Sequence, residues 1–388
     1  MTATILPPGF DEHWSSMTLG EIANYHRDTV DPCRYPSRLF EHYSLPAFDS
    51  GQGPIKEHGS AIESIKFVLP PDAVMVSKLN PRIPRVWAPE KIGKNAISST
   101  EFLVLTARAG VKRSFLHWLL RSDVVGDRMK RLAVGTTGSH ARIHPTQVRA
   151  IEVQVPGERE QYAIAKALDD IDKLISALTA LITKKQAIKQ GMMQELLTGR
   201  TRLPGFKGKW YLCPLGDLLS YEQPTRYLVK TTKQFDTGRI PVLTAGKTFI
   251  LGYTNEPFGI YTSHPVIIFD DFTTASQYVD FDFKVKSSAM KILSARSGVD
   301  IRFVYERMQL IEFPLGDHKR YWISEYSQQE IKVPREEEQI AISHVIADAD
   351  RELTLLELIL AKARDVKQGM MQELLTGRTR LPVQETVA

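Results

Sequence analysis

Two basic, glycine-rich loops are the parts of this sequence best suited to chemistry, and that chemistry is the recognition of an anion. Residues 135–142 combine three hydroxyl side chains with a histidine and an arginine, and residues 316–322 carry a histidine, a lysine and an arginine. Hydroxyls, backbone amides and basic groups hold phosphate, and arginine can also pair with a guanine edge. A generic glycine-rich turn is the alternative for either loop alone. Because each loop precedes one copy of a repeated segment, we predict that both contact DNA.

Basic side chains are concentrated around the first loop. Arg128, Lys130, Arg131 and Arg149 flank it, and Asp127 is the only acid in this cluster. The chain has 50 lysines and arginines against 45 aspartates and glutamates, a net charge of +5. A solvated basic face is the alternative, but the adjoining loop favours phosphate contact. The candidate DNA-binding residues are Lys78, Arg82, Arg128, Arg131, Thr136, Thr137, Ser139, His140, Arg142, Lys247, Thr273, Thr274, His318, Lys319, Arg320 and Tyr321.

Catalytic motifs are scarce, and no catalytic residue is predicted for the main function. The sequence has neither a G-x-x-x-x-G-K-[ST] phosphate loop nor a G-x-S-x-G nucleophile turn, and its histidines and cysteines are too scattered for a zinc site. Asp270, Asp282 and Lys284 loosely resemble the carboxylates and lysine of a metal-dependent nuclease. Charged residues at strand edges are the simpler interpretation, so DNA cleavage is kept as the alternative function.

The elements that must position these residues are organised as a duplication. Residues 189–204 read KQGMMQELLTGRTRLP, and residues 367–382 repeat all sixteen letters. The repeat extends upstream without a gap, so residues 152–188 align with residues 330–366 at the same offset of 178. A shorter echo that contains Trp14 begins the chain and recurs directly after the first long copy. The order is therefore cyclic: a variable block, a shared segment, a second variable block and a second shared segment.

Each shared segment is predicted to form one long helix. Pro156 and Pro334 suit the start of a helix, and the glutamates that follow suit the positive end of its dipole. Apolar residues then recur every three or four positions without an interrupting proline, and Gly199 and Gly377 are typical of helix ends. About 40 residues at 1.5 Å each give a length of roughly 60 Å. We expect the copies to pack antiparallel about a pseudo-twofold axis; two unrelated surface helices are the alternative.

The predicted fold class is α/β (α+β): two mixed α/β domains separated by two long antiparallel coiled-coil helices in a pseudo-twofold cyclic arrangement. Short alternating or apolar runs between turn-forming residues indicate strands in both variable blocks. The predicted strands are residues 62–68, 73–77, 102–106, 240–243, 266–269 and 281–285, and the predicted helices are residues 114–121 and 124–131. The predicted boundaries are 1–155 and 203–333 for the variable domains, and 156–202 and 334–388 for the helical segments.

Length and composition favour a multidomain intracellular protein. A chain of 388 residues has room for two or three domains with their own cores. No run reaches the ~18 apolar residues of a membrane span, and the N-terminus lacks the pattern of a signal peptide. Cys33 and Cys213 are far apart in sequence and are expected to be reduced thiols. We therefore expect a cytoplasmic protein.

This order of blocks resembles the specificity subunit of type I restriction–modification systems. One feature that carries the resemblance is V-x-V-P-x-x-x-E-Q at residues 153–161, with its second copy at residues 331–339. The others are the repeated KQGMMQELLTGRTRLP and the W-x-x-x-x-L-G-[ED] motifs that begin at Trp14 and Trp210. The resemblance covers almost the whole chain and is most specific in the helical segments, because variable blocks match only in outline.

The resemblance implies more than the residues do alone. Each variable domain would be a target recognition domain that reads one half of a bipartite site in double-stranded DNA, and the helices would fix the gap between the halves. The helices would also bind two methyltransferase (M) subunits, which carry S-adenosylmethionine, and motor-nuclease (R) subunits that use ATP and magnesium would join. This chain would bind no metal or cofactor and would not be an enzyme. The residues expected to bind other subunits are Leu178, Met192, Met193, Leu196, Leu356, Met370, Met371 and Leu374.

A third hypothesis is a coiled-coil scaffold that makes no contact with nucleic acid. Failure to bind any DNA duplex, at any salt concentration, would favour it over the two hypotheses that involve DNA.

Overall fold

The computed structural model describes residues 13–135, 141–230, 235–244, 248–315 and 320–381. Contacts within the chain divide it into two compact units. Unit 1 is formed by Met1–Thr179 together with Ile359–Ala388, and unit 2 is formed by Ala180–Leu358. Each unit therefore combines one variable block with parts of both shared segments.

The variable block of unit 1 is a mixed α/β domain. Its strands are β1 (Ser15–Thr18), β2 (Ala23–His26), β3 (Thr29–Val30), β4 (Leu39–Tyr43), β5 (Ile55–His58), β6 (Lys66–Val68), β7 (Val74–Ser77), β8 (Val86–Trp87), β9 (Ala96–Ser98), β10 (Phe102–Ala107) and β11 (Glu152–Val155). Its helices are α1 (Leu19–Ile22), α2 (Leu45–Asp49), α3 (Arg113–Arg121), α4 (Asp123–Leu132) and α5 (Pro145–Arg149), followed by the long helix α6 (Glu158–Thr198).

Three sheets organise these strands. A four-stranded sheet has the order β2-β10-β7-β8, a five-stranded sheet has the order β3-β6-β9-β4-β5, and β1 pairs with β11. In the four-stranded sheet β10 is antiparallel to both of its neighbours. The β1–β11 pair lies directly before α6 in sequence, so the strand that ends the variable block also fixes where the long helix starts.

The variable block of unit 2 repeats this plan with a smaller second sheet. Its strands are β12 (Tyr211–Pro214), β13 (Leu219–Glu222), β14 (Ile240–Leu243), β15 (Ile250–Thr254), β16 (Val266–Asp270), β17 (Ser276–Val279), β18 (Lys284–Val285), β19 (Met290–Ala295) and β20 (Glu330–Val333). Its helices are α7 (Leu215–Leu218), α8 (Ile301–Met308) and α9 (Tyr321–Ser324), followed by the long helix α10 (Glu336–Leu374). The sheet orders are β13-β19-β16-β17, β15-β14-β18 and β12-β20.

The two four-stranded sheets have the same topology. In each, the central strand, β10 or β19, pairs antiparallel with a strand that follows a short helix and with the first strand of a hairpin. A helix follows the central strand in both units, α3 in unit 1 and α8 in unit 2. The duplication seen in the shared segments therefore includes the sheet architecture of the variable blocks.

The long helices are antiparallel within each unit. In unit 1 Asp172 of α6 pairs with Lys367 of α10, and the earlier Glu160 pairs with the later Arg380. In unit 2 Lys185 of α6 lies 2.7 Å from Glu352 of α10. The helices begin two residues after the predicted prolines, at Glu158 and Glu336, and the left-handed glycines that follow them confirm the predicted ends.

Each long helix contributes apolar residues to the cores of the variable domains. In unit 1 Leu168 of α6 and Leu374 of α10 belong to the same buried cluster as Trp118 of α3. In unit 2 Leu197 of α6 and Ile346 of α10 belong to the same cluster as the aromatic and aliphatic residues of α8. Burial of one large aliphatic side chain contributes about 1.5–3 kcal/mol, so the helices and domains stabilise each other.

The predicted elements are confirmed in kind, with shorter strands in two places. The strand predicted at residues 62–68 covers only Lys66–Val68, because Gly59–Ala61 forms a 3-10 turn that ends at residue 62. The strand predicted at residues 281–285 covers only Lys284–Val285. Among the described residues, none of the helices combines the length and the apolar character that crossing a membrane demands.

Candidate nucleic-acid interface

A hairpin in unit 1 lies beside the segment that carries one of the predicted arginines. Residues 78–85 connect β7 to β8, and the backbone amide of Ile143 donates to the carbonyl of Lys78 at 3.0 Å. Arg142 pairs through its guanidinium with Glu101, with 3.1 Å between Nη2 and Oε1. This hydrogen-bonded pair raises the pKa of Arg142 further and gives the arginine a fixed direction. The structure therefore brings Lys78 and Arg142 together, although they are far apart in sequence.

The equivalent hairpin in unit 2 lies beside the other predicted arginine. Residues 271–275 connect β16 to β17, and the backbone amide of Tyr321 donates to the carbonyl of Asp271 at 2.9 Å. The guanidinium carbon of Arg320 lies 5.9 Å from the centre of the Phe272 ring. Thr273 is exposed on the same turn, so Thr273 and Arg320 share one small surface.

Arg128 and Arg131 belong to a different place on unit 1. They line a cavity of about 550 Å³ together with Arg378, Asp123 and Asp127. The Arg128 guanidinium also donates to the backbone carbonyl of Glu152. Two carboxylates accompany the three arginines, so this cavity is less cationic than the sequence cluster suggested.

One predicted DNA-binding residue is placed inside the protein. Tyr321 is only 1% exposed and packs against the ring of Phe313, with 5.3 Å between ring centres. The prediction that Tyr321 contacts DNA is therefore wrong, since its side chain supports the core of unit 2. Arg82 is exposed on the first hairpin, and Thr274 is half-buried on the second. The remaining predicted residues, Thr136, Thr137, Ser139, His140, Lys247, His318 and Lys319, lie outside the described residues.

The residues predicted to bind other subunits fall into two groups. Leu178, Leu196 and Leu374 are buried, so the prediction that their side chains bind a partner is wrong. They stabilise this chain because they lie on the face of each helix that packs inward. The others are only partly buried: Met192 and Met193 pack against the core of unit 2, Met370 and Met371 pack against the core of unit 1, and Leu356 lies on α10.

The nuclease arrangement considered from the sequence is contradicted by the side-chain contacts. Lys284 is buried and lies 3.2 Å from Glu256. Asp282 lies 3.3 Å from His264, and a carboxylate oxygen of Asp270 accepts from a backbone amide of its own turn. The three residues thus have separate partners. Within the described parts of the chain, histidine, cysteine and carboxylate side chains form no group of three that could hold a metal ion.

An ion cluster joins each variable domain to the long helices. In unit 1 Asp172 pairs with Lys367 and lies 3.8 Å from Arg121 at the end of α3. In unit 2 the equivalent Asp350 pairs with Lys189, the equivalent of Lys367, and lies 2.6 Å from Arg302 at the start of α8. The shared segments therefore supply the same carboxylate and lysine twice, and each variable domain supplies its own arginine.

His117 lies on α3 near this cluster in unit 1. Burial lowers its pKa to about 4, and the positive charges of Arg121 and Arg113 act in the same direction. The adjacent Trp118 ring has the Arg121 guanidinium 4.7 Å and the Lys367 ammonium 5.0 Å from its centre. The neutral His117 imidazole thus lies among cations and next to the Trp118 ring. The same cations make favourable cation–π contacts with that ring.

A second duplicated contact joins the two shared segments within each unit. In unit 1 Arg380 forms a two-bond pair with Glu160, at 2.7 and 2.6 Å, and the indole of Trp14 also donates to Glu160 at 3.2 Å. In unit 2 Arg202 forms the same pair with Glu338, with both distances 2.5 Å. We call these two contacts the clasps. Beside each clasp a left-handed glycine packs on a tryptophan, Gly377 on Trp14 and Gly199 on Trp210.

Sequence reasoning missed the exposed apolar residues of the two hairpins, Ile83 and Phe272. The strands that lead into these hairpins are buried along nearly their whole length, and an apolar residue in the following turn is not visible as exposed until the hairpin is formed. The acidic partners Glu101 and Asp271 were also missed, because each meets its basic partner only through the fold.

Comparisons with known proteins agree with this architecture. No family model matches the chain. Over 148 residues it is 53% identical to the Escherichia coli type I restriction enzyme EcoR124I/EcoR124II specificity subunit, a match that spans 37% of this chain and about a third (36%) of that relative. Over 327 residues it is 25% identical to the putative type I restriction enzyme MjaX specificity subunit of Methanocaldococcus jannaschii, covering 75% of this chain and 76% of the relative.

Solved structures share the whole fold at low sequence identity. The HsdS subunit from Thermoanaerobacter tengcongensis aligns over 96% of this chain and 98% of its own, with a TM-score of 0.54 and 17% identity. The type I restriction–modification S subunit from M. genitalium aligns over the same shares, with a TM-score of 0.61 and 15% identity. The chain is thus similar to type I restriction enzyme specificity subunits, over most of its length at 25% identity and over 148 residues at 53% identity.

Proposed function

We propose that this chain is the DNA sequence-recognition and assembly subunit of a type I restriction–modification complex and that it performs no catalysis itself. The observation that carries the proposal is the duplication of one recognition assembly. Each unit combines a four-stranded sheet, a hairpin and an adjoining arginine with the same ion cluster to the long helices. The relatives that match by sequence are named as specificity subunits, which supports this function.

Two recognition domains in one chain favour a DNA site with two separate halves. We propose that residues 1–155 form the first target recognition domain and residues 203–333 the second, with residues 156–202 and 334–388 as the helical segments. Each domain alone would bind its half-site modestly, and tethering raises the combined affinity through effective concentration. The number of unread base pairs between the halves would follow from the length of the helices.

The long helices offer apolar surface for partner subunits. In unit 1 the exposed apolar residues on the helices are Tyr162, Leu174, Ile359 and Val366; in unit 2 they are Leu181, Ile188, Ile340, Leu355 and Leu358. Tyr162 and Ile340 occupy equivalent positions of the repeat, as do Leu181 and Ile359, and Ile188 and Val366. Exposed apolar residues repeated at equivalent positions are typical of a binding surface. We propose that two methyltransferase subunits bind there, one at each unit.

The partners would supply all of the chemistry. The methyltransferase subunits would carry S-adenosylmethionine and transfer a methyl group to adenine, and motor-nuclease subunits would use ATP and magnesium. This division agrees with the separate partners of Asp270, Asp282 and Lys284 in unit 2.

Methylation mapping tests the recognition role. Host DNA with the gene should carry methylated adenines in a two-part motif, host DNA without the gene should lack them, and a plasmid copy should restore them. The same adenines methylated without the gene would contradict the proposal. Metal-dependent cleavage of plasmid DNA by the purified chain, abolished by Asp282→Ala, would instead favour the nuclease.

Variants of the exposed helix face test the docking role. Leu355→Glu combined with Leu358→Glu should abolish co-purification with the methyltransferase subunit, because two charges would enter an apolar interface. Leu212→Glu, at an exposed apolar residue of β12 that is not part of the long helices, is the matched control and should leave co-purification intact. Retained co-purification of the double variant would move the interface elsewhere.

A further inference from the structure

The two hairpins present apolar side chains that neither core uses. We call residues 80–84 the first hairpin tip and residues 271–275 the second hairpin tip. Ile83 on the first is 48% exposed, and Phe272 on the second is 40% exposed. The two hairpins are topologically equivalent, and each carries an exposed apolar residue at its tip. Surface positions taken at random would not show this repetition in both units.

The second hairpin tip is held in one conformation by its own hydrogen bonds. The amide of Thr274 donates to the carbonyl of Asp270 at 2.9 Å, and the amide of Asp270 donates to the carbonyl of Ala275 at 2.8 Å. The amide of Phe272 donates to the Asp270 carboxylate, also at 2.9 Å. Thr274 has a φ of +58°, in the left-handed region that a β-branched residue rarely adopts. Such strain persists only where the surroundings impose it, and it concentrates at functional positions.

A buried carboxylate fixes this tip to the segment that carries the arginine. Asp271 is buried and lies 3.2 Å from the buried Lys291. Its other contacts reach forward in the chain, because its carbonyl accepts from the amide of Tyr321 at 2.9 Å and its carboxylate accepts from the amide of Trp322 at 2.8 Å. Arg320 directly precedes these two residues, which is why its guanidinium lies beside the exposed ring of the tip.

The first hairpin tip is assembled in the same way from different residues. Asn80 has a φ of +46°, and its amide donates to the carbonyl of Ala141 at 2.7 Å. The amide of Ile83 donates to the carbonyl of Asn80 at 3.0 Å, so the apolar residue is fixed relative to the turn. Arg142 directly follows Ala141. Each tip is therefore joined by backbone hydrogen bonds to the segment that carries an arginine of its own unit.

A narrow tip with one exposed apolar residue, hydrogen-bonded to a segment that carries an arginine, fits one edge of double-stranded DNA. In the major groove thymine is the base that presents a methyl group, and apolar side chains recognise it by contact. The neighbouring guanidinium can bind the adjacent phosphate or a guanine edge. A two-stranded β-ribbon is narrow enough to enter this groove.

We propose that Phe272 and Ile83 are specificity-determining residues, each contacting the methyl group of one thymine in the half-site read by its own domain. This inference rests on the proposed function as a DNA-recognition subunit. It assigns the contact with the base edge to hairpin residues that lie outside the basic loops at residues 135–142 and 316–322.

Selection from a randomised duplex library with the full chain tests the assignment. Phe272→Ala should weaken discrimination at one position of one half-site by about fivefold or more, since a wrong base pair costs at least about that much. Ile83→Ala should weaken one position of the other half-site. The matched controls are Phe258→Ala and Ile65→Ala, which remove the same side chains from exposed positions of the same units, 73% and 55% exposed, away from the tips.

The outcomes separate this inference from the proposed function. A wild-type chain that selects no sequence would overturn the proposed function and this inference with it. A wild-type chain that selects a two-part motif, with Phe272→Ala and Ile83→Ala selecting the same motif equally well, would overturn only the inference. Altered positions that fall in one and the same half-site would also overturn it, because the tips belong to different domains.

Uracil in place of thymine tests the methyl contact itself. At the position that Phe272→Ala relaxes, uracil should weaken wild-type binding about as much as the substitution does, and it should not weaken the Phe272→Ala variant further. Phe272→Leu, which keeps an apolar side chain, should retain most of the discrimination. Equal binding of thymine and uracil duplexes by the wild-type chain would show that the tip does not recognise a methyl group.

Discussion

Asp172 on α6 and Lys367 on α10 form an ion pair although 195 positions separate them in the chain. The equivalent positions of the repeat, Asp350 and Lys189, form the same pair in unit 2. Because one partner comes from each shared segment, the pair exists only when the two helices pack side by side. An arginine from the variable domain joins each pair, so the cluster connects three separately encoded parts of the chain.

Breaking this cluster should destabilise unit 1. Asp172→Asn leaves the Lys367 ammonium and the Arg121 guanidinium without their shared carboxylate, and we expect a loss of about 1–2 kcal/mol in the free energy of unfolding. Chemical denaturation monitored by tryptophan fluorescence measures it, since Trp118 lies beside both cations. Asp170→Asn is the control, because Asp170 pairs only locally with Lys166 on an exposed face. Equal stability of the two variants would contradict a special role for Asp172.

The clasp glycines should not tolerate a side chain. Gly377 has a φ of +72°, and a Cβ there would lie 3.2 Å from the Trp14 ring. Gly377→Ala should therefore cost about 1–2 kcal/mol from the left-handed backbone alone. Gly369→Ala, in the interior of α10 where a Cβ would meet nothing within 4 Å, should instead stabilise the chain by up to about 1 kcal/mol. Thermal unfolding of both variants measures the difference, and two variants of the same sign would refute this account.

The stability of unit 1 should fall on mild acidification because of His117. Burial and nearby cations lower the pKa of this side chain to about 4 in the folded state, against 6.5 ordinarily. Between these values the unfolded chain binds a proton that the folded chain does not, so stability is lost as the pH falls below about 6.5. The loss by pH 5 is up to about 2 kcal/mol.

His117→Gln should remove this part of the pH dependence. The measurement is the free energy of unfolding at pH 7 and at pH 5 for both proteins, and the difference between the two values should be smaller in the variant. His58→Gln, at an exposed position of the same unit, should leave the wild-type profile unchanged. A variant with the full wild-type acid sensitivity would mean that other groups cause it.

The length of the helices should set the gap between the two half-sites. Insertion of four residues after Leu178 and four after Leu356, equivalent positions of the repeat, lengthens each helix by ~6 Å. The bases read in each half-site should stay the same, and the number of unread base pairs should grow by one or two, at ~3.4 Å each. Methylation mapping of the variant decides this. An active variant with the original gap would show that flexible connections, not the helices, place the domains.

Helix prediction succeeded where one residue pattern determines the outcome. The apolar repeat and the glycines at positions 199 and 377 act within a few residues of themselves, so the sequence carried all the information needed for α6 and α10. The periodicity could not show which apolar residues remain exposed. Leu178 faces inward and Leu181 outward although both belong to the predicted stripe, because the second helix covers only one side.

The site was predicted less well, because its residues meet through long-range contacts. Tyr321 follows a basic loop and looked exposed, yet the hydrogen bond from its amide to Asp271 draws it into the core. Phe272 lies just beyond the strand predicted at residues 266–269 and was not singled out, and it is exposed at a turn. The position of Tyr321 depends on a turn some 50 residues upstream, which decides where residues 320–322 lie, and no local pattern records that.

The division of the chain into units has a consequence for the order in which the protein is built on the ribosome. Unit 2 is one continuous stretch, Ala180–Leu358, whereas unit 1 needs residues from both ends of the chain. Leu375 is almost wholly buried in the core of unit 1, and Arg380 pairs with the buried Glu160. Domains usually complete their folding in the order of synthesis. Here the domain that is translated first cannot complete its core until the last segment has emerged from the ribosome. The second domain therefore completes its folding before the first. A prematurely terminated chain leaves the core of the first domain incomplete.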